Sequence, residues 1–418
     1  MRLSWHTIAR WRAVIDSATD SSNTVVHYSV FMSIMWISGV DVSSLKPTGA
    51  ITLLAVSCLT IMVGCVIVPG LSEIAAQLGV AHLASWLVTL PSLGVVLAGP
   101  LAGRAIDRWS AYSLLLIGLF CYGLFGVAGA WLPGALPQII DRLLLGCATA
   151  IVMAAGTSLI ARFYSGEARL KMMARQGMSI ELGGVLFLFI GGILASISWR
   201  WPYGLYLFAW LMLLMVLITV PRPPQLAASE SVDEKAGNSD RALRPVLLAA
   251  LCSMMCFFTA VIMLPQRFAA MGIDAAHIGY FLSFVSLVAV LAAAIMPDVS
   301  QRFGSYQTLV MAFICYLLAH LEFAAAPNMV LFIPGGILLG MGFGLSIPLV
   351  NHLTVEISQP QERGRQLARL SMAIFSGQFL AAFMAYLPGG FVSAFAAAAL
   401  LAAVNVFAMG KVGRSVTT

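Results

Sequence analysis

Windows of about 20 mainly apolar residues recur along this chain from Thr48 almost to the C-terminus, and few charges interrupt them. A helix needs about 20 such residues to cross the hydrocarbon core of a bilayer. Only 10% of the residues are charged and 60% are hydrophobic, whereas a soluble domain has roughly 25% charged residues. So little polar surface could not cover a water-soluble globule, and we predict an all-α polytopic membrane protein.

We predict twelve membrane-spanning helices, divided by a polar segment into two groups of six. Residues 221–245 are rich in Pro, Ser and charged residues, a composition that cannot pack a core and predicts a flexible cytoplasmic linker. The linker separates an N-terminal half, 48–220, from a C-terminal half, 246–410, with an N-terminal cytoplasmic or interfacial extension at 1–47 and a cytoplasmic tail at 411–418. The predicted spans are 48–70, 84–106, 111–132, 136–161, 177–197, 202–220, 246–266, 275–296, 307–326, 329–355, 366–386 and 389–409.

The basic residues lie almost entirely on one side of these spans. Of the 23 Lys and Arg residues, all but Arg142, Arg200 and Arg267 fall on the side that the N-terminus shares. The positive-inside rule therefore predicts that both termini are cytoplasmic. The net charge of +6 is explained by this topology, and we predict no nucleic-acid partner.

The two halves resemble each other at a constant offset of 194 residues. The matching positions are Arg108 and Arg302, Tyr112 and Tyr306, Gly146 and Gly340, Arg169 and Arg363, Met178 and Met372, and Gly183 and Gly377. One register across spans three to five and nine to eleven indicates a duplicated six-helix unit. Parallel repeats of this kind place a substrate site between the halves, near the midplane.

The end of the second span carries a set of small and charged residues: Gly99, Pro100, Leu101, Gly103, Asp107 and Arg108. This segment resembles the signature loop of the major facilitator superfamily, and Asp298, Arg302 and Gly304 form a fainter counterpart in the second half. The segment after span ten, with Glu362, Arg363 and Gly364, is similar to the inner loop of that family. The resemblance implies a transporter that works by alternating access.

We predict that Gly99, Gly103, Asp107 and Arg108 form a gating loop. The small residues would let neighbouring helices approach closely. The acid and the base beside a helix terminus would form a lock between the halves that breaks when the transporter changes state. In isolation, either loop would be better explained as a short basic segment that sets topology, and it is their shared register that favours the gating function.

The fourth span begins with Asp141 and Arg142, which is similar to the family's Arg-containing fourth-helix motif. An ionisable residue inside a span is a candidate functional residue, because burying a charge in hydrocarbon is costly. Arg142 is predicted either to bind an anionic group or to pair locally with Asp141. In the fifth span, Gly183, Gly191 and Gly192 match the exporter signature of the family. Phe187 and Leu188 stand where that signature has Gly-Pro.

Glu181, two residues before Gly183 in the fifth span, is the predicted proton carrier. Burial would favour its protonated form at neutral pH, so protonation could follow the proton gradient. The alternative is a hydrated carboxylate paired with Arg175. Three further polar residues are candidates to line the cavity, or to hold neighbouring helices together by hydrogen bonds: Asn351, His352 and Gln378.

The seven cysteines all lie in apolar windows, and Cys252 and Cys256 are not accompanied by a His or an acid at ligand spacing. We therefore predict no disulfide, no metal site and no cofactor.

The leading functional prediction is export of a small amphiphilic organic molecule coupled to protons, by a monomer in the inner membrane. Metabolite uptake by symport or facilitated diffusion is the alternative that the missing Gly-Pro leaves open. A sensor or an intramembrane enzyme on a transporter scaffold is the alternative of another class. An enzyme would need a nucleophile and a base, or metal ligands, at one depth, and no such constellation is found in the sequence.

Overall fold

A computed structural model describes residues 45–164, 166–222, 239–327, 329–359 and 362–417. Residues 1–44 of the predicted extension lie outside the described residues. Residues 223–238 of the predicted linker lie outside them as well. The described residues form helices joined by short connections, without strands.

Twelve helices are long and apolar enough to cross a membrane, which confirms the predicted number. We label them α1 Pro47–Cys65, α2 Ala84–Arg108, α3 Ala111–Ala128, α4 Ala135–Phe163, α5 Gly166–Ile197, α6 Phe208–Thr219, α7 Ser239–Ala270, α8 Ala275–Phe303, α9 Ser305–Ala325, α10 Phe332–Ile357, α11 Arg363–Leu380 and α12 Gly390–Thr417. Shorter helical turns continue five of the spans: Ala81–Leu83 before α2, Gly129–Trp131 after α3, Trp201–Gly204 and Leu205–Leu207 before α6, Met329–Leu331 before α10, and Ala381–Tyr386 after α11.

Several helices extend past the predicted spans. Helix α5 begins at Gly166 rather than 177, and α7 at Ser239 rather than 246. Helix α12 continues to Thr417, so the predicted tail at 411–418 is helical through 417. The predicted spans followed hydropathy, but Ala, Arg, Lys, Glu and Met in the flanking segments are strong helix formers that prolong a helix beyond the hydrocarbon.

The packing of the first six helices is repeated by the second six. Helix α2 packs on α4 as α8 packs on α10, α3 on α4 as α9 on α10, and α1 on α5 as α7 on α11. The contacts of α6 with α1 and α3 recur as those of α12 with α7 and α9. The structure therefore contains two six-helix units of the same architecture.

Individual residues follow the same duplication. A Cβ on Gly146 would meet the backbone carbonyl of Pro91, and a Cβ on Gly340 would lie 2.6 Å from the carbonyl oxygen of Val285. All four positions obey the 194-residue offset. In both halves, glycine permits the same close contact between two helices.

A pair of buried tyrosines, which the sequence comparison missed, also obeys this offset. Tyr122 donates its hydroxyl to the carbonyl oxygen of Leu59, at 2.8 Å. The hydroxyl of Tyr316 lies 2.9 Å from the hydroxyl of Ser253, and Ser253 is the equivalent of Leu59. Each tyrosine ties the third helix of its half to the first.

The halves meet along α5 with α8 and along α2 with α11. A Cβ on Gly192 would lie 2.8 Å from the Cα of Gly279, so the backbones of α5 and α8 touch there. Near the start of α2, Trp86 makes edge contacts with Phe379 and Phe383 of the other half, at centroid distances of 6.0 and 5.9 Å.

The same end of the α2–α11 interface holds a hydrogen bond from the Tyr386 hydroxyl to the carbonyl oxygen of His82, at 3.0 Å. These contacts lie at the end of the bundle that the charge pattern predicts to be extracytoplasmic, which we call the outer end. The halves are therefore packed together at the outer end.

Candidate functional site

A cavity of about 20 Å³ lies between the halves. This volume holds about one water molecule. The lining comes from α1, α5, α7, α8 and α10, and therefore from both six-helix units. Its residues are Ile61, Cys65, Glu181, Gly184, Leu188, Phe257, Phe258, Val261, Leu282, Val285, Ser286, Ala289 and Phe343.

Glu181 supplies the one carboxylate of this lining, in which the other side chains are apolar except for Cys65 and Ser286. A carboxylate surrounded by apolar side chains is costly in its charged form unless a proton or another cation neutralises it. The cavity therefore joins a group able to bind a proton to a space shared by the two halves.

Close packing of α5 on α1 positions Glu181. A Cβ on Gly183 would lie 2.9 Å from the Cβ of Cys58, and the thiol of Cys58 donates to the carbonyl oxygen of Ser179 at 3.0 Å. These contacts lie two residues to either side of Glu181. They fix the rotation of α5 and leave Glu181 at the cavity.

The part of the lining that α7 and α10 supply includes three aromatic rings, which we call the aromatic wall. The rings of Phe257 in α7 and Phe343 in α10 are 4.2 Å apart between centroids, and Phe258 lies 5.7 Å from Phe257. The sequence prediction missed these residues, because an aromatic residue in an apolar window has the same pattern whether it faces lipid, a core or a cavity.

The two halves differ at the position of the cavity carboxylate. The 194-residue offset pairs Glu181 with Phe375. Phe375 packs against Val95, Ala98 and Ala150 of the N-terminal half. An apolar contact therefore occupies the position in the second half that the carboxylate occupies in the first.

Arg142 lies in a second polar cluster, inside the N-terminal half. Its side chain is 0% exposed, and its Nη2 donates to Oδ2 of Asp141 at 2.6 Å and to the carbonyl oxygen of Phe125 at 3.3 Å. The rings of Tyr203 and Tyr206 lie 5.4 and 5.7 Å from the guanidinium carbon. The structure thus places Asp141 and Arg142 in a local ion pair and not among the residues that line the cavity.

The other predicted cavity residues also lie outside this lining. Gln378 is buried against α1, with its Nε2 2.9 Å from where a Cβ of Gly64 would be. Asn351 donates to the carbonyl oxygen of Ile347 in its own helix, at 2.9 Å. His352 is 65% exposed, and its Nε2 is 3.7 Å from Glu356. Of the predicted coupling residues, Glu181 alone lines the cavity.

The predicted gating loop is helical. Helix α2 continues to Arg108 and α3 begins at Ala111, so Gly99, Gly103, Asp107 and Arg108 all lie in the last turns of α2. A Cβ on Gly99 or Gly103 would meet no described atom within 4 Å, so the expected close approach is absent from this conformation. Arg108 is exposed, and the side chain of Asp107 lies outside the described residues.

Within the described residues, no three His, Cys, Asp or Glu side chains lie close enough together to hold a metal ion.

Comparison with known proteins places these features in a family. The model of the Major Facilitator Superfamily matches residues 52–382. The chain is 26% identical to a triacylglyceride transporter of Mycolicibacterium smegmatis, over 41% of this chain and 32% of that protein. It is 24% identical to multidrug resistance protein 1 of Bacillus subtilis, over 40% of this chain and 43% of that protein. The matched regions thus span less than half the length of these two relatives.

The fold is shared with a D-xylose-proton symporter of known structure, with a TM-score of 0.71 and 17% identity over 88% of this chain and 97% of that one. The family model covers most of the chain, and the chain therefore belongs to the Major Facilitator Superfamily. It is a multi-pass integral membrane protein, and its family and fold are those of a transporter.

Proposed function

We propose that this protein exports a small amphiphilic organic molecule across the inner membrane in exchange for protons, working as a monomer. The observation that carries the proposal is the single carboxylate, Glu181, in an otherwise largely apolar cavity between two equivalent halves. The predicted orientation, with both termini in the cytoplasm, determines which end of the bundle faces the cytoplasm.

Coupling follows from the cost of an unneutralised charge in the cavity. When the halves close around Glu181, its carboxylate loses contact with water and needs a proton or a bound substrate that neutralises it. The empty, deprotonated transporter therefore passes slowly through the closed state between its inward-open and outward-open forms. Proton-loaded and substrate-loaded forms cross readily, which makes the movement of one depend on the movement of the other.

The apolar lining favours an amphiphilic substrate over a sugar. Sugar recognition requires several hydrogen-bonding side chains, because each buried hydroxyl needs a partner. Here the lining offers only Glu181, Ser286 and Cys65 as polar side chains. Export is supported by Gly183 and the Gly191-Gly192 pair, which match the exporter signature, and by the likeness to a multidrug resistance protein.

The test is proton movement in proteoliposomes that hold an imposed pH gradient, with candidate amphiphiles added one at a time. We expect substrate-dependent collapse of the gradient with the wild-type protein and none with Glu181→Gln. Glu73→Gln is the matched control, because Glu73 is exposed in the short helix Leu71–Gln77, away from the cavity. Substrate flux without proton flux in the wild type would contradict antiport and favour facilitated diffusion.

Uptake by symport is the second candidate. It is favoured by Phe187 and Leu188, which stand where exporters of the family have Gly-Pro, and by the unbroken course of α5 from Gly166 to Ile197. In the same proteoliposomes, substrate that moves in the direction of the protons would establish symport and reject export.

A further inference from the structure

We propose that an anionic phospholipid binds at the inner end of the C-terminal half, at the corner where α8, α9 and α12 meet. The inner end is the end of the bundle that the charge pattern predicts to be cytoplasmic. The lipid phosphate would lie among Arg302, Lys411 and Arg414, and the acyl chains along the exposed face of α12. The site lies away from the cavity, so it depends neither on the substrate nor on the direction of transport.

Close packing of α12 on α9 brings the three cations together. A Cβ on Gly413 would lie 3.1 Å from the Cβ of Tyr306. The last turns of α12, which carry Lys411 and Arg414, therefore lie beside the first turn of α9. Arg302 lies in the last turn of α8, one helical turn before Tyr306 in the chain. The side chains of all three cations are exposed, so they are accessible to a ligand at the membrane surface.

Two acids at this end do not cancel the positive charge. Asp298 lies one turn before Arg302 in α8 and is exposed. Glu356 lies at the inner end of α10, where its carboxylate is 3.7 Å from His352. The three cations exceed these two acids, and the corner keeps a net positive charge. A cluster of this sign attracts the phosphate groups of anionic lipids.

The cations stand at the depth of the lipid headgroups. Helix α12 begins at Gly390, and an α-helix rises by about 1.5 Å per residue. The segment from Gly390 to Lys411 is therefore about 30 Å long, which is the thickness of the hydrocarbon core. Lys411 lies where α12 leaves the hydrocarbon, and Arg414 lies about one turn beyond it, among the headgroups.

The lipid-facing side of α12 leads directly to these cations. Leu400, Val404 and Phe407 are exposed on one face of the helix, and Phe407 is 79% exposed. Lys411 follows Phe407 by four residues and therefore lies on the same face. A lipid whose phosphate contacts Lys411 can bury its acyl chains against these apolar side chains. A soluble anion would contact the cations alone, which favours a lipid as the occupant.

The N-terminal half repeats the arrangement with fewer cations. The 194-residue offset pairs Arg108 with Arg302 and Tyr112 with Tyr306. Arg222, which follows α6, has its guanidinium carbon 5.6 Å from the centre of the Tyr112 ring. A base near the end of the sixth helix thus lies beside the start of the third helix, as in the C-terminal half. Two cations rather than three predict a second, weaker lipid site.

The binding test is native mass spectrometry of the full-length protein in detergent, with phosphatidylglycerol and phosphatidylcholine that have the same acyl chains. We expect phosphatidylglycerol to bind about tenfold more tightly or better, because only its headgroup has a net negative charge. Arg302→Gln and Lys411→Gln should each weaken its tightest binding by about fivefold, whereas Lys411→Arg keeps the charge and should retain binding.

Arg200→Gln is the matched control. Arg200 is exposed at the outer end, and its guanidinium carbon lies 4.6 Å from the centre of the Trp199 ring. Arg302 lies against Phe303 in a similar way, at 5.5 Å. The control variant should bind phosphatidylglycerol as the wild type does. Equal affinity for the two lipids, or unchanged affinity when Arg302, Lys411 and Arg414 are all replaced by Gln, would overturn the proposal.

Two further measurements separate the lipid from other occupants. Glycerol phosphate has the phosphate without acyl chains and should not displace phosphatidylglycerol, and Phe407→Ser should weaken lipid binding by about threefold or more. Displacement by glycerol phosphate would assign the site to a soluble anion and overturn the proposal. A dimer in the same spectra that Phe407→Ser dissociates would show that a second copy of the chain covers this face, which would overturn it as well.

Discussion

At the scale of single residues, the structure separates two acids that the sequence analysis grouped together. Asp141 is buried beside Arg142 within one half, whereas Glu181 faces the space between the halves. The sequence identified both as intramembrane acids, because charges are rare and visible in apolar windows. It could not distinguish their roles, since that depends on which neighbouring helix each one faces.

We predict that Asp141→Asn destabilises the fold. The substitution removes the countercharge of a fully buried guanidinium, and breaking a buried ion pair in this way costs about 3–5 kcal/mol. The measurement is thermal unfolding of the detergent-solubilised protein, followed by size-exclusion chromatography of heated samples. The double variant Asp141→Asn, Arg142→Gln should recover part of the loss, because no unpaired charge remains.

Asp274→Asn is the control for that experiment, since Asp274 is an exposed helix-capping residue, to which the backbone N–H of His277 donates. Asparagine is also a good capping residue, so little change is expected. An Asp141→Asn variant as stable as the wild type would show that another group neutralises Arg142.

At the scale of helices, glycines determine where neighbouring backbones touch. The sequence predicted the twelve spans and the duplication, because hydropathy and the 194-residue offset are both readable in one chain. It did not identify which glycines make contacts. Gly192 lies against the backbone of Gly279, whereas Gly99 and Gly103 meet no described atom within 4 Å. Such differences depend on the conformation of the whole transporter.

We predict that Gly192→Ala lowers stability and Gly177→Ala does not. Both glycines lie in α5, so the two substitutions gain a similar helix propensity of up to about 1 kcal/mol. A Cβ at Gly192 would press on the backbone of α8, and such overpacking costs about 1–3 kcal/mol. A Cβ at Gly177 meets no described atom within 4 Å.

Thermal unfolding of the two glycine variants, side by side in one detergent, is the measurement. Equal melting temperatures would contradict the close contact between α5 and α8 and with it the packing of the halves at the outer end.

At the scale of the whole molecule, two six-helix units of the same architecture carry different side chains at equivalent positions. The offset pairs Glu181 with Phe375 and Arg142 with Gly336. The N-terminal half therefore supplies the carboxylate, and the C-terminal half supplies the aromatic wall and an apolar contact. The cavity residues Phe257, Phe258 and Phe343 could not be predicted from sequence, because the site forms only where two distant parts of the chain are packed together.

The central claim is that Glu181 gives up its proton when substrate binds. Infrared difference spectroscopy of the protein in lipid measures this directly, by the carbonyl band of a protonated carboxyl group. We predict that this band disappears on addition of substrate in the wild type and in Glu73→Gln, and that Glu181→Gln shows no such loss. Loss of the band in Glu181→Gln, or its persistence in the substrate-bound wild type, would contradict the account.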